Sequence, residues 1–170
     1  MSANLWKKMY PSEEENRIRS LEEQNKKYEL FFDKERKKWQ EELDPLFQTI
    51  YGGNFTMNNS NKVIDAQAKV LTLRQKCNEQ VSKFSQKLSK IKSENSELSQ
   101  QKFLFYSTGF GLKTSLGEKK LLIDGHLREN KRTSNLIETH INFLRETLET
   151  LQSWGYSIKN VLQLIEYLGK

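Results

Sequence analysis

The sequence predicts an all-α protein: an elongated coiled coil with three long helical segments, the last two forming an αα-hairpin or part of a helical bundle. Three observations predict it. Val63, Val70, Cys77, Phe84, Ile91, Leu98 and Phe105 are spaced seven apart and all apolar, and a helix with that repeat carries a seam that needs a partner helix. Hydrophobic residues fill 35% of the 170 positions and charged residues 29%, against about 45–50% apolar in average globular chains; this suits helices that bury stripes rather than a central core. Two prolines leave the periodic stretches nearly unbroken, and eighteen aromatics (three Trp, six Tyr, nine Phe) are too many for a simply disordered chain.

Residues 1–11 hold Leu5, Trp6, Met9 and Tyr10 around Lys7 and Lys8. One helical turn presents such a set to a partner's groove or a membrane surface, or packs it on the chain's own bundle. The first helix covers 12–50. Ser12 and Glu15 match a capping box, and Glu13 and Glu14 place negative charge at the positive helix end. Its seam reads Ile18, Leu21, Asn25, Tyr28, Phe32, Glu35, Trp39, and Asp44–Pro45 is expected to end or kink it. A linker at 51–61 follows, rich in Gly and Asn. Asn54-Phe55-Thr56 and Asn58-Asn59-Ser60 match glycosylation sequons, read here as loop composition.

The middle helix covers 62–106 and is basic. Residues 1–50 carry a net charge of −1, 51–117 carry +6 and 118–170 carry +1. Lys62, Lys69, Lys76, Lys83 and Lys90 form a stripe beside the seam, again every seven residues. In a parallel homodimer, Lys69 would face Arg74 and Lys87 would face Lys92, both repulsive. The expectation is therefore an acidic partner helix or an antiparallel arrangement. The second column shifts offset at Leu73, Cys77, Val81, two four-residue steps in a row, which is a stutter. After it the column reads Val81, Leu88, Asn95, Lys102. Asn25 and Asn95 fall at core a positions, where a buried amide fixes register at a cost in stability.

The second joint, 107–117, adjoins Phe103, Phe105, Tyr106 and includes Phe110; packed inside, these aromatics close an αα-hairpin. Ser115 and Glu118 offer a second capping box. The last helix covers 118–170, its repeat starting at Leu116. Its seam pairs Leu116, Ile123, Asn130, Ile137, Leu144, Leu151, Ile158 and Ile165 with Leu127, Ser134, Ile141, Leu148, Gly155 and Leu162. Leu136, Phe143, Trp154, Val161 and Leu164 widen the face, which fits a bundle of three or four helices. In length and layout this helix is similar to a SNARE motif, over under a third of the chain. That resemblance implies the cytosolic part of a membrane-traffic tethering or fusion protein. The family's central Gln or Arg layer is not evident: the exceptions at a and d are Asn130, Ser134 and Gly155.

No catalytic or metal-ligating constellation is visible, and no cofactor or small-molecule substrate is expected. His126 and His140, the only histidines, lie fourteen residues apart without a Cys cluster and read as surface or interface residues. Cys77, the only cysteine, sits in the seam as a small hydrophobe, and a lone cysteine excludes an internal disulfide framework. The expected function is a non-enzymatic coiled-coil subunit, an adaptor or structural spacer in a multi-protein assembly, in the cytoplasm or nucleus. Its partners would be other coiled-coil proteins, acidic ones first, with nucleic acid or a membrane as alternatives. The candidate partner-binding residues are Leu5, Trp6, Met9 and Tyr10; Val63, Val70, Cys77, Phe84, Leu88, Ile91, Asn95 and Leu98; and Ile137, Ile141, Leu144, Leu148, Leu151 and Ile158.

Overall fold

A computed structural model of the chain describes residues 12–52, 60–109 and 115–168. The fold is all-α. Helix α1 spans Ser12–Tyr51, α2 spans Ser60–Leu104 and α3 spans Leu116–Leu168, with a π-helical turn, Phe105–Gly109, closing α2. Leu5, Trp6, Met9, Tyr10, the Ser12 side chain, both sequon asparagines and Phe110 lie outside the described set. None of the described helices is long and apolar enough to cross a membrane.

The helix ends follow from local chemistry. At the start of α3, the Ser115 amide donates to Glu118 Oε2 at 2.7 Å and the Glu118 amide donates to Ser115 Oγ at 3.3 Å, the reciprocal capping box. Pro45 does not end α1, which runs on to Tyr51. A proline inside a helix removes one backbone donor and crowds the preceding turn. Here Leu46 and Ile50 are buried just beyond it, and the Gly52 amide closes the last turn on the Gln48 carbonyl at 2.9 Å. Burial of those two side chains outweighs the local penalty.

Contacts divide the chain into two compact units: residues 1–31 with 86–138, and residues 32–85 with 139–170. Each helix supplies one stretch to each unit. In the first unit α1 runs parallel to α3, with Glu14 meeting His126 and Glu29 meeting Arg132. There α2 runs antiparallel to α3, with Tyr106 meeting His126 and Lys92 meeting Glu138. Its apolar centre is Tyr106, Ile123 and Leu127, with Leu98 and Leu122 against them.

The second unit has the same three-helix order. Phe32 meets His140 and Tyr51 meets Ser157 in the parallel sense, while Cys77 meets Leu144 and Trp39 meets Gln80 in the antiparallel sense. Its core is the larger one: Phe32, Trp39, Leu46 and Ile50 of α1; Val63, Ala66, Val70, Leu73, Cys77 and Phe84 of α2; Ile141, Leu144, Leu151, Trp154 and Ile158 of α3. Around the stutter, Leu73 and Cys77 are buried and Val81 half-buried, so both four-residue steps stay on the packed side.

The seam departs from the seven-residue repeat at two places. Phe105, its seventh member, is exposed, and Tyr106 takes the core position. The last steps, Leu98, Lys102, Tyr106, are again fours, and they carry the packed side one residue past the repeat. Among the described joint aromatics the expected internal role therefore belongs to Tyr106, since Phe103 is exposed too. At the ends of α3, Leu116 and Leu164 are exposed.

Candidate functional site

The seam residues assigned to a partner pack against other helices of this chain. In the second unit Val63, Val70, Cys77, Phe84, Ile141, Leu144, Leu151 and Ile158 are buried and Leu148 is half-buried. In the first unit Ile137 is buried, and Leu88, Ile91, Asn95 and Leu98 are half-buried.

The basic stripe is partly matched by carboxylates of the same chain. Lys76 Nζ lies 2.6 Å from Glu42 Oε1 and 5.0 Å from the centre of the Trp39 ring. Lys62 and Lys69 border a cleft between α1 and α2 that also holds Asp65. Lys90 reaches Glu94 at 3.9 Å, and Lys83 is exposed. Of the two pairs expected to repel in a homodimer, Lys87 and Lys92 have partners here. Lys87 sits 4.5 Å from the Tyr28 ring centre and Lys92 sits 3.4 Å from Glu138 Oε1.

Four polar side chains set between the helices, His126, Asn25, Asn95 and His140, correct or refine the sequence reading. His126 and His140, expected at the surface or an interface, are buried against other helices of this chain. His126 Nδ1 is 2.6 Å from Glu14 Oε1 and Nε2 is 2.6 Å from the Tyr106 hydroxyl. Lys102 and Arg17 also reach the Glu14 carboxylate. Burial, opposed by the Glu14 charge, pushes the His126 pKa down. The ring is then neutral at neutral pH, with Nδ1–H donating to Glu14 and Nε2 accepting from Tyr106. Burial works against the Glu14 charge, but the Lys102 hydrogen bond and neighbouring positive charge outweigh it and hold the carboxyl below its usual range. This chain of short hydrogen bonds has the connectivity of a proton relay. Tyr106 and His126 are both buried, and through Glu14, Lys102, Tyr106 and His126 the cluster joins all three helices of the first unit.

Asn25 is fully buried at its a position, and its partners come from α3 rather than from a matching asparagine. Its Nδ2 donates to the Glu129 carbonyl and to Glu129 Oε2, each at 3.0 Å, and its Oδ1 accepts from Thr133 Oγ1 at 2.6 Å. Asn95 is less well served: Nδ2 reaches Ser134 Oγ at 3.4 Å, and its buried Oδ1 has no partner.

His140, in the second unit, stacks on Phe32 with ring centres 4.4 Å apart and meets Phe84 edge-on at 5.0 Å. Neither ring nitrogen is hydrogen-bonded. Burial pushes its pKa down to about 4, with Arg36 adding to the effect and Glu35 opposing it.

A sequence signal for these groups exists. His126, Thr133, His140, Thr147 and Trp154 are spaced seven apart and are all buried, forming a column three residues after the Ile123, Asn130, Ile137, Leu144, Leu151 column. Its polar members hide it from a search for apolar repeats, and Trp154 marks its register.

The second unit also carries an open groove between α2 and α3. Val70 and Gly155 form its floor, Leu71 and Tyr156 its walls, and Arg74 and Lys159 its charged edges. Among the described residues no group of three or more His, Cys, Asp or Glu side chains is placed to hold a metal ion. No family model, no curated protein and no solved structure matches the chain.

Proposed function

We propose that this chain is a non-enzymatic helical subunit, an adaptor or structural spacer that joins a multi-protein assembly by pairing with helices of another protein. One observation carries the reading: large apolar side chains lie on the outer faces at helical spacing. Ile64 and Leu71 are one heptad apart on α2 and both more than half exposed; Phe47 and Tyr51 are one turn apart on α1, with ring centres 5.1 Å from each other. Exposed apolar rows of this kind serve helix docking. The buried titratable groups hold helices together, which favours a scaffold over a reaction centre. A reducing compartment, cytoplasm or nucleus, suits the single buried thiol.

The test is cross-linking of the tagged full chain in its native cells, followed by mass spectrometry. Stoichiometric companions bearing heptad segments are the expected result. Recovery of the chain alone, at its own 20.1 kDa mass, would sink the reading.

A further inference from the structure

We infer that the α2–α3 groove of the second unit is the docking site for an acidic amphipathic helix of a partner protein. The inference rests on the adaptor reading and names the surface and the chemistry of its occupant. The groove has an apolar centre that one more helix would cover. Leu71 is 53% exposed and Tyr156 61% exposed, while Val70 beneath them is 1% exposed. Gly155 leaves the floor open. A Cβ at that position would come within 3.8 Å of Val70 Cγ1, so any larger side chain would fill the space. Ile64, one heptad before Leu71 and 55% exposed, continues the apolar wall along α2. Apolar contacts repeating every seven residues beside a glycine-lined floor fit a helix laid along the groove.

The charge of the occupant follows from the edges. No carboxylate lines the groove. Arg74 on α2 and Lys159 on α3 stand at its edges, and further along α3 come Arg145, one heptad before Gln152, and Glu149, one heptad before Tyr156. Among the described residues none of these three cations has an ion-pair partner. On the side of α2 facing α1 the pattern differs. There Lys76 is held by Glu42, and Asp65 stands beside Lys62 and Lys69. On the α1 side carboxylates of this chain thus stand among the cations, whereas the α2–α3 groove has cations at its edges and no carboxylate in its lining. The N-terminal segment of this chain is a poor occupant, since Lys7 and Lys8 match the sign of the groove. Gln67 also lines the groove, and its Oε1 is buried without a donor. A hydroxyl or amide on the docked helix would meet it.

The probe is a three-heptad synthetic peptide with Leu at a and d and Glu at e and g, titrated into the full chain under amide-resolved NMR. Its counterpart carries Lys at e and g. The expected result is saturable binding of the acidic peptide, with shifts at Leu71, Gly155 and Tyr156, and no binding of the basic one. The double charge reversal Arg74→Glu with Lys159→Glu should weaken the acidic peptide at least about tenfold. Tyr156→Asp, at an exposed position, gives a second route to the same loss. Unchanged melting of each variant shows that its fold is intact. Equal affinity for both peptides, or indifference to the charge reversal, would overturn the proposal. So would absence of saturable binding, or dimerisation of the chain through Tyr156. Acidic-peptide binding that maps to another face would overturn the groove while sparing the adaptor reading. Failure of the cross-linking test above removes the adaptor reading whatever the peptide does.

Discussion

His140 sits between two phenyl rings with both nitrogens unpaired, which makes it the residue at which acid meets the second unit's core. Its native pKa of about 4 lies below the ordinary 6.5. As pH falls through 6.5 the unfolded chain takes up a proton that the native chain refuses. Stability is therefore complete above about pH 6.5 and drains away toward pH 4, by roughly 3 kcal/mol in all. The depressed pKa of His126 acts in the same direction. His140→Leu should raise stability at neutral pH, because two unsatisfied ring nitrogens disappear, and should flatten the urea midpoint between pH 6.5 and 4. An unchanged slope would clear His140 as its cause. The two core asparagines should separate in sign. Asn25→Leu removes the short Thr133 hydrogen bond and both donations to Glu129, leaving Thr133 its Glu129 carbonyl acceptor and the carboxylate only the longer Arg132 contact at 3.8 Å, and about 1–3 kcal/mol of stability should be lost. Asn95→Leu removes an unpaired Oδ1 and one long hydrogen bond, and the midpoint should hold or rise. Matching losses at both sites would mean that position alone, and not hydrogen bonding, sets the effect.

At the scale of the helix, what the sequence shows depends on whether a local pattern carries the whole cause. The apolar columns through Val63–Phe84 and Ile137–Ile158 are legible because each member is apolar and on period. The Ser115–Glu118 box is legible because both partners lie within one turn. Helix α1 continuing past Pro45 is not legible, since the reason is burial of Leu46 and Ile50 against distant residues. The His126–Thr133–His140–Thr147 column escapes for the same reason: its neighbours on α1 are more than a hundred residues away in sequence. The candidate groove is less legible still, because Leu71, Arg74, Tyr156 and Lys159 come together only when α2 and α3 pair. Two substitutions weigh local against tertiary causes. Ser115→Ala removes a cap and should lower stability by about 1 kcal/mol. Pro45→Ala restores a backbone donor at an exposed site and should raise it by about 1–3 kcal/mol. Thermal melts read both, and a destabilised Pro45→Ala would show that the proline sets a needed geometry.

For the molecule as a whole, the question that governs function is whether the second unit's seam is closed on itself or open to exchange with another helix. Cys77 reports on it directly. The thiol is fully buried, its Sγ–H donates to the Leu144 carbonyl at 3.1 Å, and burial pushes its pKa up to about 11. The thiolate is the reactive form, so near neutral pH a native Cys77 is protected twice, by access and by ionisation. A thiol-reactive aromatic disulfide should therefore label the native chain orders of magnitude more slowly than the urea-unfolded chain. When reclosing outpaces labelling, the rate follows the opening equilibrium, and every 1.4 kcal/mol of added stability slows it about tenfold. His140→Leu should thus slow labelling in proportion to its gain in the melt, because both residues belong to the same unit. An acidic helix bound in the α2–α3 groove should slow it too, since Val70 in the floor lies one heptad from Cys77. Native labelling as fast as in urea would mean that α2 does not stay docked. The seam from Val63 to Phe84 would then be available to a partner, and pairing would proceed by exchange of helices rather than by addition to a finished surface.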